Sequence, residues 1–508
     1  MTVARDGPLS VASALDTLIL LRSRGARLWV ENDRLRYTAP KGVLSSEDLD
    51  RLRSFRDDLI VLIGGDASDN AVALTRRCPA DPVPLTPIQH LTWQSVDRKD
   101  QPHVRRHVCA VSVHGNLLVD VLAKALQSLR SRHEVLRTRF LPTVDGGLVQ
   151  HADAVGPCQL AIIDIAGREP EVRSRALDEL LKATVRLSEG PLFDARLIKL
   201  AHEEYLFAAS LDEMISDCKS NEIVMREIWT EYVRLARGEE PLMASDPIQV
   251  ADYAVWLQNS QSAWMGAHAS YWRQRLQDAS GVAEPCGRRT GRAAVAANRR
   301  VAIDLDTETV AQLASFARER QIFPAVVVLA VCVASIFRCY AREDMVVVVV
   351  DHGRYRPELH NMIGWLVNNL YLRVAVSAEK TFEDLVWTLG RELENAHHHR
   401  DFNRVPLLLP EVVADLHFNW RTGLKTTVLP SDGASGDPDI QLHAVPLPSE
   451  PSRSECAITF DHDRGVTGTL EYRVDSWLAS AVDRFTSTLK SLLKVFIQHP
   501  TQTVGCGR

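Results

Sequence analysis

The stretch Tyr205–Ser220 reads YLFAASLDEMISDCKS, and the rest of the chain is best read outward from it. Tyr205 to Ser210 is an apolar, β-leaning run and predicts a strand. Downstream, Asn221 to Leu235 (NEIVMREIWTEYVRL) places Ile223, Val224, Ile228, Val233 and Leu235 at helical spacing and predicts an amphipathic helix. Between the two lie Asp212, Glu213, Asp217 and Ser220. Ser220 is a natural N-cap, and Glu222 suits the positive end of the helix dipole. Acids that close a rigid strand and face a cleft are placed to do chemistry. The same residues also suit a solvated loop that caps a helix, and spacing alone leaves both readings open.

The 508 residues allow two or three domains. The 45% apolar and 24% charged content is that of an ordinary globular protein. A net charge of −6 argues against a nucleic-acid partner. The nine cysteines are scattered with no CxxC, which predicts neither a zinc site nor a disulfide framework and fits a reducing, cytoplasmic setting. The N-terminus lacks the basic-then-apolar pattern of a signal peptide. The longest apolar run, Ile322 to Phe337, contains Pro324, is too short for a membrane span and predicts a buried core helix. No GxxxxGK[ST], HExxH, GxSxG or GxGxxG is present, so several common enzyme classes lose support.

Residues 1–66 read as a small separate unit. Val11, Leu15, Leu18 and Leu21 recur at helical spacing, and Gly25 would stop that helix. RLWV (Arg27 to Val30) and RLRY (Arg34 to Tyr37) flank Glu31-Asn32-Asp33, a hairpin signal. Leu49, Leu52, Leu59 and Leu62 then give a helical stripe, and Gly64 to Asn70 is an exit. A two-stranded sheet leaves edges unpaired, so one edge can take a partner strand, or its own helices can cover it. Residues 10 to 63 closely resemble the TubC-type docking domain at the start of nonribosomal peptide synthetase subunits. The resemblance implies an αββαα fold that binds the C-terminal tail of an upstream synthetase subunit. Trp29, Arg27, Arg34 and Arg36 are then the expected docking interface, with the arginines selecting an acidic tail.

Residues 67–84 form a proline-bearing linker, with Pro79, Pro82 and Pro84 leading to Pro87. PLTPIQ (Pro84 to Gln89) follows, and later RHEVLRTRF (Arg132 to Phe140), DYAVW (Asp252 to Trp256), IGWLVNNLYLR (Ile363 to Arg373), HFNW (His417 to Trp420) and LEY (Leu470 to Tyr472). Together these resemble the condensation domain of nonribosomal peptide synthetases over roughly residues 84 to 500. The resemblance implies an α/β (α+β) fold of two chloramphenicol-acetyltransferase-like lobes in a V-shaped pseudo-dimer. Residues 85–259 would form the N-lobe, 260–500 the C-lobe and 501–508 a tail. A tunnel between the lobes would admit donor and acceptor carrier proteins from opposite faces. No cofactor is expected on the chain itself, since phosphopantetheine arms arrive on the carriers, and no carrier serine motif is present.

The chain departs from the family at the site. Condensation domains carry HHxxxDG at the strand-to-helix junction, where the second His handles the attacking amine. The corresponding stretch is Asp212-Glu213-Met214-Ile215-Ser216-Asp217-Cys218, with both histidines replaced by carboxylates and the Gly by Cys218. Asp212, Glu213 and Asp217 are the expected catalytic line. Asp217 is expected to pair with a buried arginine, Arg132 or Arg137. The stretch also reads DxxxxDxxS (Asp212, Asp217, Ser220), the signature of heterocyclisation domains, which form thiazoline or oxazoline rings. DYAVW and IGWLVNNLYLR are instead of the ordinary condensation type. Three readings stand: condensation without the histidine, with Glu213 as the candidate base; ring formation; and a catalytically idle docking or recruiting scaffold.

Asn368 is expected along the lobe interface, where the resemblance places its motif. His397, His398 and His399 end a helical stretch, point in different directions and predict no metal site. They suit favourable charge at a helix C-terminus. The resemblance puts His399 in structural support or in the tunnel wall. Gly287 to Arg300, Asp432 to Pro438 and Pro446 to Pro451 read as surface loops.

Overall fold

The structure is a computed structural model. In the first 66 residues it describes positions 17, 21, 27–31, 34–39, 44, 46–56 and 59. Beyond them it describes 73–78, 83–95, 106–144, 146–158, 160–168, 171, 172, 175, 179, 185–242, 247–259, 261–279, 298–400, 405–409, 412–422, 440–445, 454–462, 465–474 and 476–506. Most of the expected first helix, the Gly64–Asn70 exit, Pro79 and Pro82, most of the Gly287–Arg300 loop and the loops at 432–438 and 446–451 lie outside the described residues, as do the side chains of Arg27 and Trp29.

The expected hairpin is present. Strands β1 (Arg27–Glu31) and β2 (Arg34–Thr38) pair antiparallel, with Trp29 opposite Arg36 and Glu31 opposite Arg34. Helix α1 (Ser46–Ser54) follows. Leu21, Leu28, Leu52 and Leu59 are buried together as a core of their own.

After α2 (Pro87–Ser95), the first lobe is built from β3 (Arg106–Gly115), α3 (Val119–Arg132), a 3-10 turn (Glu134–Arg137), the β4 (Thr138–Pro142) and β5 (Leu148–Ala152) pair, β6 (Ala161–Asp164), β7 (Phe193–Ala201), β8 (Glu204–Asp212) and α4 (Cys218–Ala236). Helices α5 (Val250–Asn259) and α6 (Gln261–Leu276) lead to the second lobe. That lobe comprises β9 (Asn298–Asp304), α7 (Thr307–Glu319), α8 (Pro324–Tyr340), β10 (Asp344–Asp351), β11 (Asn368–Ala375), α9 (Phe382–His398), β12 (Leu416–Thr422), β13 (Ile440–Val445), β14 (Cys456–His462), β15 (Val466–Arg473) and α10 (Ala479–Gln498).

Two mixed sheets organise these elements. The first has the order β13-β3-β8-β7-β6 and the second β11-β10-β12-β14-β15-β9. The first is packed under α3 and α4, where Phe207, Trp229 and Tyr232 make edge-to-face contacts in the core. In the second, β10 (DMVVVVVD) pairs antiparallel with β11 and parallel with β12. A continuous apolar run is what such an interior strand requires. The run containing Pro324 forms α8, buried on all sides from Ala325 to Phe337, with the proline in the first turn, where no amide bond is lost. Among the described residues no single helix is long and apolar enough to cross a membrane.

The lobes are not independent in sequence. Strand β13, far along the second lobe, is the edge strand of the first sheet, running from Ile440 opposite Gly115 to Val445 opposite Ala110. Leu359, Met362, Ile363 and Leu366 likewise lie in the first lobe's core. The approach to α2 is strapped down as well: Leu74 is buried in the same core, and Arg77 spans Asp252 (2.8 Å) and Glu134 (2.8 Å).

Candidate active site

The strand read at Tyr205–Ser210 extends to Asp212, and the chain then turns through a 3-10 helix, Glu213–Ile215. Asp212 is fully buried, and its Oδ1 accepts from the Met214 backbone N–H at 2.9 Å, capping that turn. Glu213 is buried beside it. From the other side, Gln89 Nε2 donates to the Met214 carbonyl at 2.7 Å, while Gln89 Oε1 takes the Thr86 amide at 2.8 Å. The PLTPIQ stretch thus braces the floor of the acidic turn.

The helix begins at Cys218 rather than Asn221, and its N-cap is Asp217, not Ser220. Asp217 accepts from the Ser220 amide at 2.8 Å. A short acid in extended backbone suits an N-cap and leaves its second oxygen for another partner. That partner is Arg354, which donates from both terminal nitrogens to the two Asp217 oxygens at 2.8 Å each. The Leu366 amide adds a bond to Asp217 at 3.1 Å. Ser220 Oγ contacts Asp217 at 2.8 Å and accepts from the Gly364 amide at 3.1 Å. Burial pushes the Asp217 carboxyl up, but the Arg354 charge and its hydrogen bonds, with those from Ser220, outweigh it and hold the pKa below the ordinary carboxylate range.

Arg132 and Arg137 are therefore not the partners of Asp217. Arg132 donates to Ser128 (2.6 Å) and Glu227 (3.0 Å), and Arg137 to the Asp153 carbonyl. The reason is helical geometry: Glu227 lies ten residues down α4, about 15 Å from its N-terminus. Helix α3 packs along that middle, while the N-terminus faces the second lobe's Arg354. The turn that delivers Arg354 depends on Gly353, at φ +69°, where a Cβ would fall 1.8 Å from the Leu366 carbonyl oxygen.

Cys218 keeps exposed surface, while the protein around it pushes its thiol pKa up against the pull of the Arg421 guanidinium. Arg421 is itself held by Asp461 through two bonds, of 2.7 and 2.8 Å.

Asn368 is buried, donates Nδ2 to the Arg400 carbonyl, and has no hydrogen-bond partner for Oδ1. It lines a cleft of about 20 Å³ with residues of both lobes, among them Thr86, Tyr253, Tyr355, Trp365 and Arg400. His399 packs away from the acidic turn. Its Nδ1 meets His268 Nδ1 at 2.7 Å, and its ring stacks on Tyr271 at 3.7 Å. Burial, then His268 and His398, lower its pKa to about 4. Burial also lowers that of His397. These two rings are thus neutral near pH 7, and the expected helix-terminal charge is absent from them.

Besides Arg354, a further side chain at this site escaped the sequence reading. His107 on β3 reaches the acidic turn, with Nδ1 3.1 Å from Ser216 Oγ. It sits 109 residues from Ser216, so no local pattern could reveal it. In the hairpin unit, Arg34 and Arg36 are exposed on β2. Among the described residues no cluster of His, Cys, Asp and Glu forms a metal site.

The fold and site belong to a known class: the chain is a member of the condensation-domain family, whose sequence model matches residues 80–506. Ahead of it, the TubC N-terminal docking domain matches residues 17–63. A linear gramicidin synthase of Brevibacillus parabrevis is 28% identical over 424 residues, covering 78% of this chain and 5% of that protein. Enniatin synthase of Fusarium equiseti is 28% identical over 413 residues, covering 78% and 13%. The chain thus spans a small fraction of these curated relatives. Among solved structures, the complex of the X-domain and OxyB from teicoplanin biosynthesis aligns with a TM-score of 0.73 at 22% identity, covering 86% of this chain and 97% of that one. The first condensation domain of the calcium-dependent antibiotic synthetase, in complex with a substrate analogue, aligns with a TM-score of 0.68 at 20% identity, covering 84% and 99%. The structural likenesses establish the fold.

Proposed function

We propose that this chain joins an acyl or aminoacyl thioester on one carrier protein to an amine on another, with Asp212 and Glu213 standing where the family has paired histidines. The observation that carries the reading is the Asp217–Arg354 clamp. It keeps the acidic turn rigid at the lobe junction, and such positioning is what a tethered reaction needs. A thioester is already activated, and fixing two tethered reactants supplies much of the rate through proximity. Glu213 is suited to hold the incoming ammonium and orient the amine. The docking unit receives the tail of an upstream subunit, with Arg34 and Arg36 selecting acidic residues.

Ring formation is less well supported, because Asp217 and Ser220 are both engaged in the clamp. A recruiting scaffold is the second reading. A teicoplanin X-domain of the same fold is solved in complex with OxyB, and this chain's motif lacks the family's histidines. Loaded carriers with intact-mass readout separate the three. Condensation gives the amide, ring formation loses one further water, and a scaffold gives carrier binding without turnover. Full activity of Glu213→Gln would remove Glu213 from the reaction.

A further inference from the structure

The end of α9 is held by α6 through a contact between two titratable rings. His399 Nδ1 faces His268 Nδ1 at 2.7 Å, and the rings meet edge to face. Tyr271 stacks on the His399 ring at 3.7 Å, and Trp272 Nε1 donates to the His399 carbonyl at 3.2 Å. Three α6 side chains thus grip one residue. Between facing ring nitrogens one must donate and the other accept, so the contact holds a single proton. A cation on one ring leaves the other free to accept. Two cations leave no acceptor between them and set like charges in contact, with His268 buried. His268 has a further partner, and this limit holds whichever group that is, because it concerns only the facing nitrogens.

We propose that the His268–His399 pair is a proton-sensitive latch, which fixes the end of α9 and the adjoining cleft wall while either ring is neutral and releases both when both rings are cationic. The link to the cleft is the next residue. Arg400 offers its carbonyl to Asn368 Nδ2 and lays its guanidinium 4.0 Å over the Tyr355 ring. Arg400, Asn368 and Tyr355 all line the cleft between the lobes. The titratable and charged groups around His399 are His268 and Tyr271 on α6, the Arg275–Glu392 ion pair that acts on Tyr271, and His397, His398 and Arg400 on its own segment. Asp401 and Arg404 lie outside the described residues. Burial, then His268 and His398, bring His399 from 6.5 down to about 4. A histidine depressed in this way stabilises the closed form fully above about pH 6.5, and that contribution is lost as pH falls toward 4. Release therefore sets in under mild acid, above the range in which the Asp217 clamp titrates.

The test is hydrogen exchange of the full chain, read by mass spectrometry at pH 7.5 and pH 5 and corrected for the intrinsic pH dependence of exchange. The His399 and Arg400 amides, bonded to the Ala396 and His397 carbonyls, report the end of α9. Their protection in wild type should fall by about tenfold or more between the two pH values, while the middle of α8 stays protected. His399→Gln cannot titrate, so its protection there should not change with pH. In His268→Gln the second charge is gone, so the loss should shrink. Circular dichroism checks that the variants are folded, and either one suffices if the other is not. Equal protection of wild type at both pH values overturns the inference. So does a pH-dependent loss that persists unchanged in the folded variants, which would place the titrating group elsewhere.

Discussion

Arg354 reaches Asp217 from 137 residues away, and both side chains are almost fully buried. Breaking such a pair from one side strands a charge, at a cost of about 3–5 kcal/mol. Arg354→Met should therefore lower the unfolding free energy of the body, read from urea denaturation, by that order, while the double variant Arg354→Met with Asp217→Leu should recover much of the loss. The sign of the pH effect follows from the depressed Asp217 pKa. Its stabilising contribution is complete above the unfolded carboxylate range, about 4, and is lost as pH falls through the lower folded value. Denaturation midpoints taken from pH 7 down to pH 3 should show an acid loss in wild type that is smaller in Asp217→Asn. Equal acid profiles would remove Asp217 as the titrating group. The arginine's identity was not legible in the sequence. Arg132 and Arg137 sit in a recognisable motif, whereas Arg354 follows a strand in the other lobe, and only packing brings it across.

At the scale of elements, two connections position the site. The Gly353 turn admits no side chain, so Gly353→Ala should destabilise the body. Combined with Arg354→Met it should add less than the sum of the single losses, because both act on one clamp. The second is the strap at residues 73–78. Arg77 is largely buried between Asp252 and Glu134, whereas Arg76 is more open. Arg77→Ala should therefore expose the strap to protease well below the global unfolding midpoint, and Arg76→Ala should change it little. Equal cleavage rates in the two variants would show that the strap is not held by Arg77. The strand–turn–helix order at 205–235 was readable from apolar period and capping chemistry. The start of α4 was not, because Asp217 and Ser220 are both good caps in isolation. Asp217 took the role because its second oxygen also meets Arg354.

At the scale of the molecule, the first lobe's sheet is completed by β13, and its core by Leu359 to Leu366. The two lobes should therefore unfold in one calorimetric transition. Ile440→Asp, which puts a charge at a buried position of the edge strand, should split or broaden it. The hairpin unit, with its separate core of four leucines, should melt apart from the body and at lower stability, since about 65 residues make a marginal core. A single transition covering all three parts would contradict this.

The amino-acid sequence by itself determined the family, the two-part organisation, the buried helix after Pro324 and the acidic turn at Asp212 to Asp217. These are written in local periodicity, capping and motif order, which survive without knowledge of neighbours. Tertiary structure alone decided that Arg354 is the clamp, that β13 crosses to the other sheet, that His399 turns toward His268, and that His107 stands beside the acidic turn. Each of these joins residues far apart in the chain, and such pairings are set by which surfaces must be buried together.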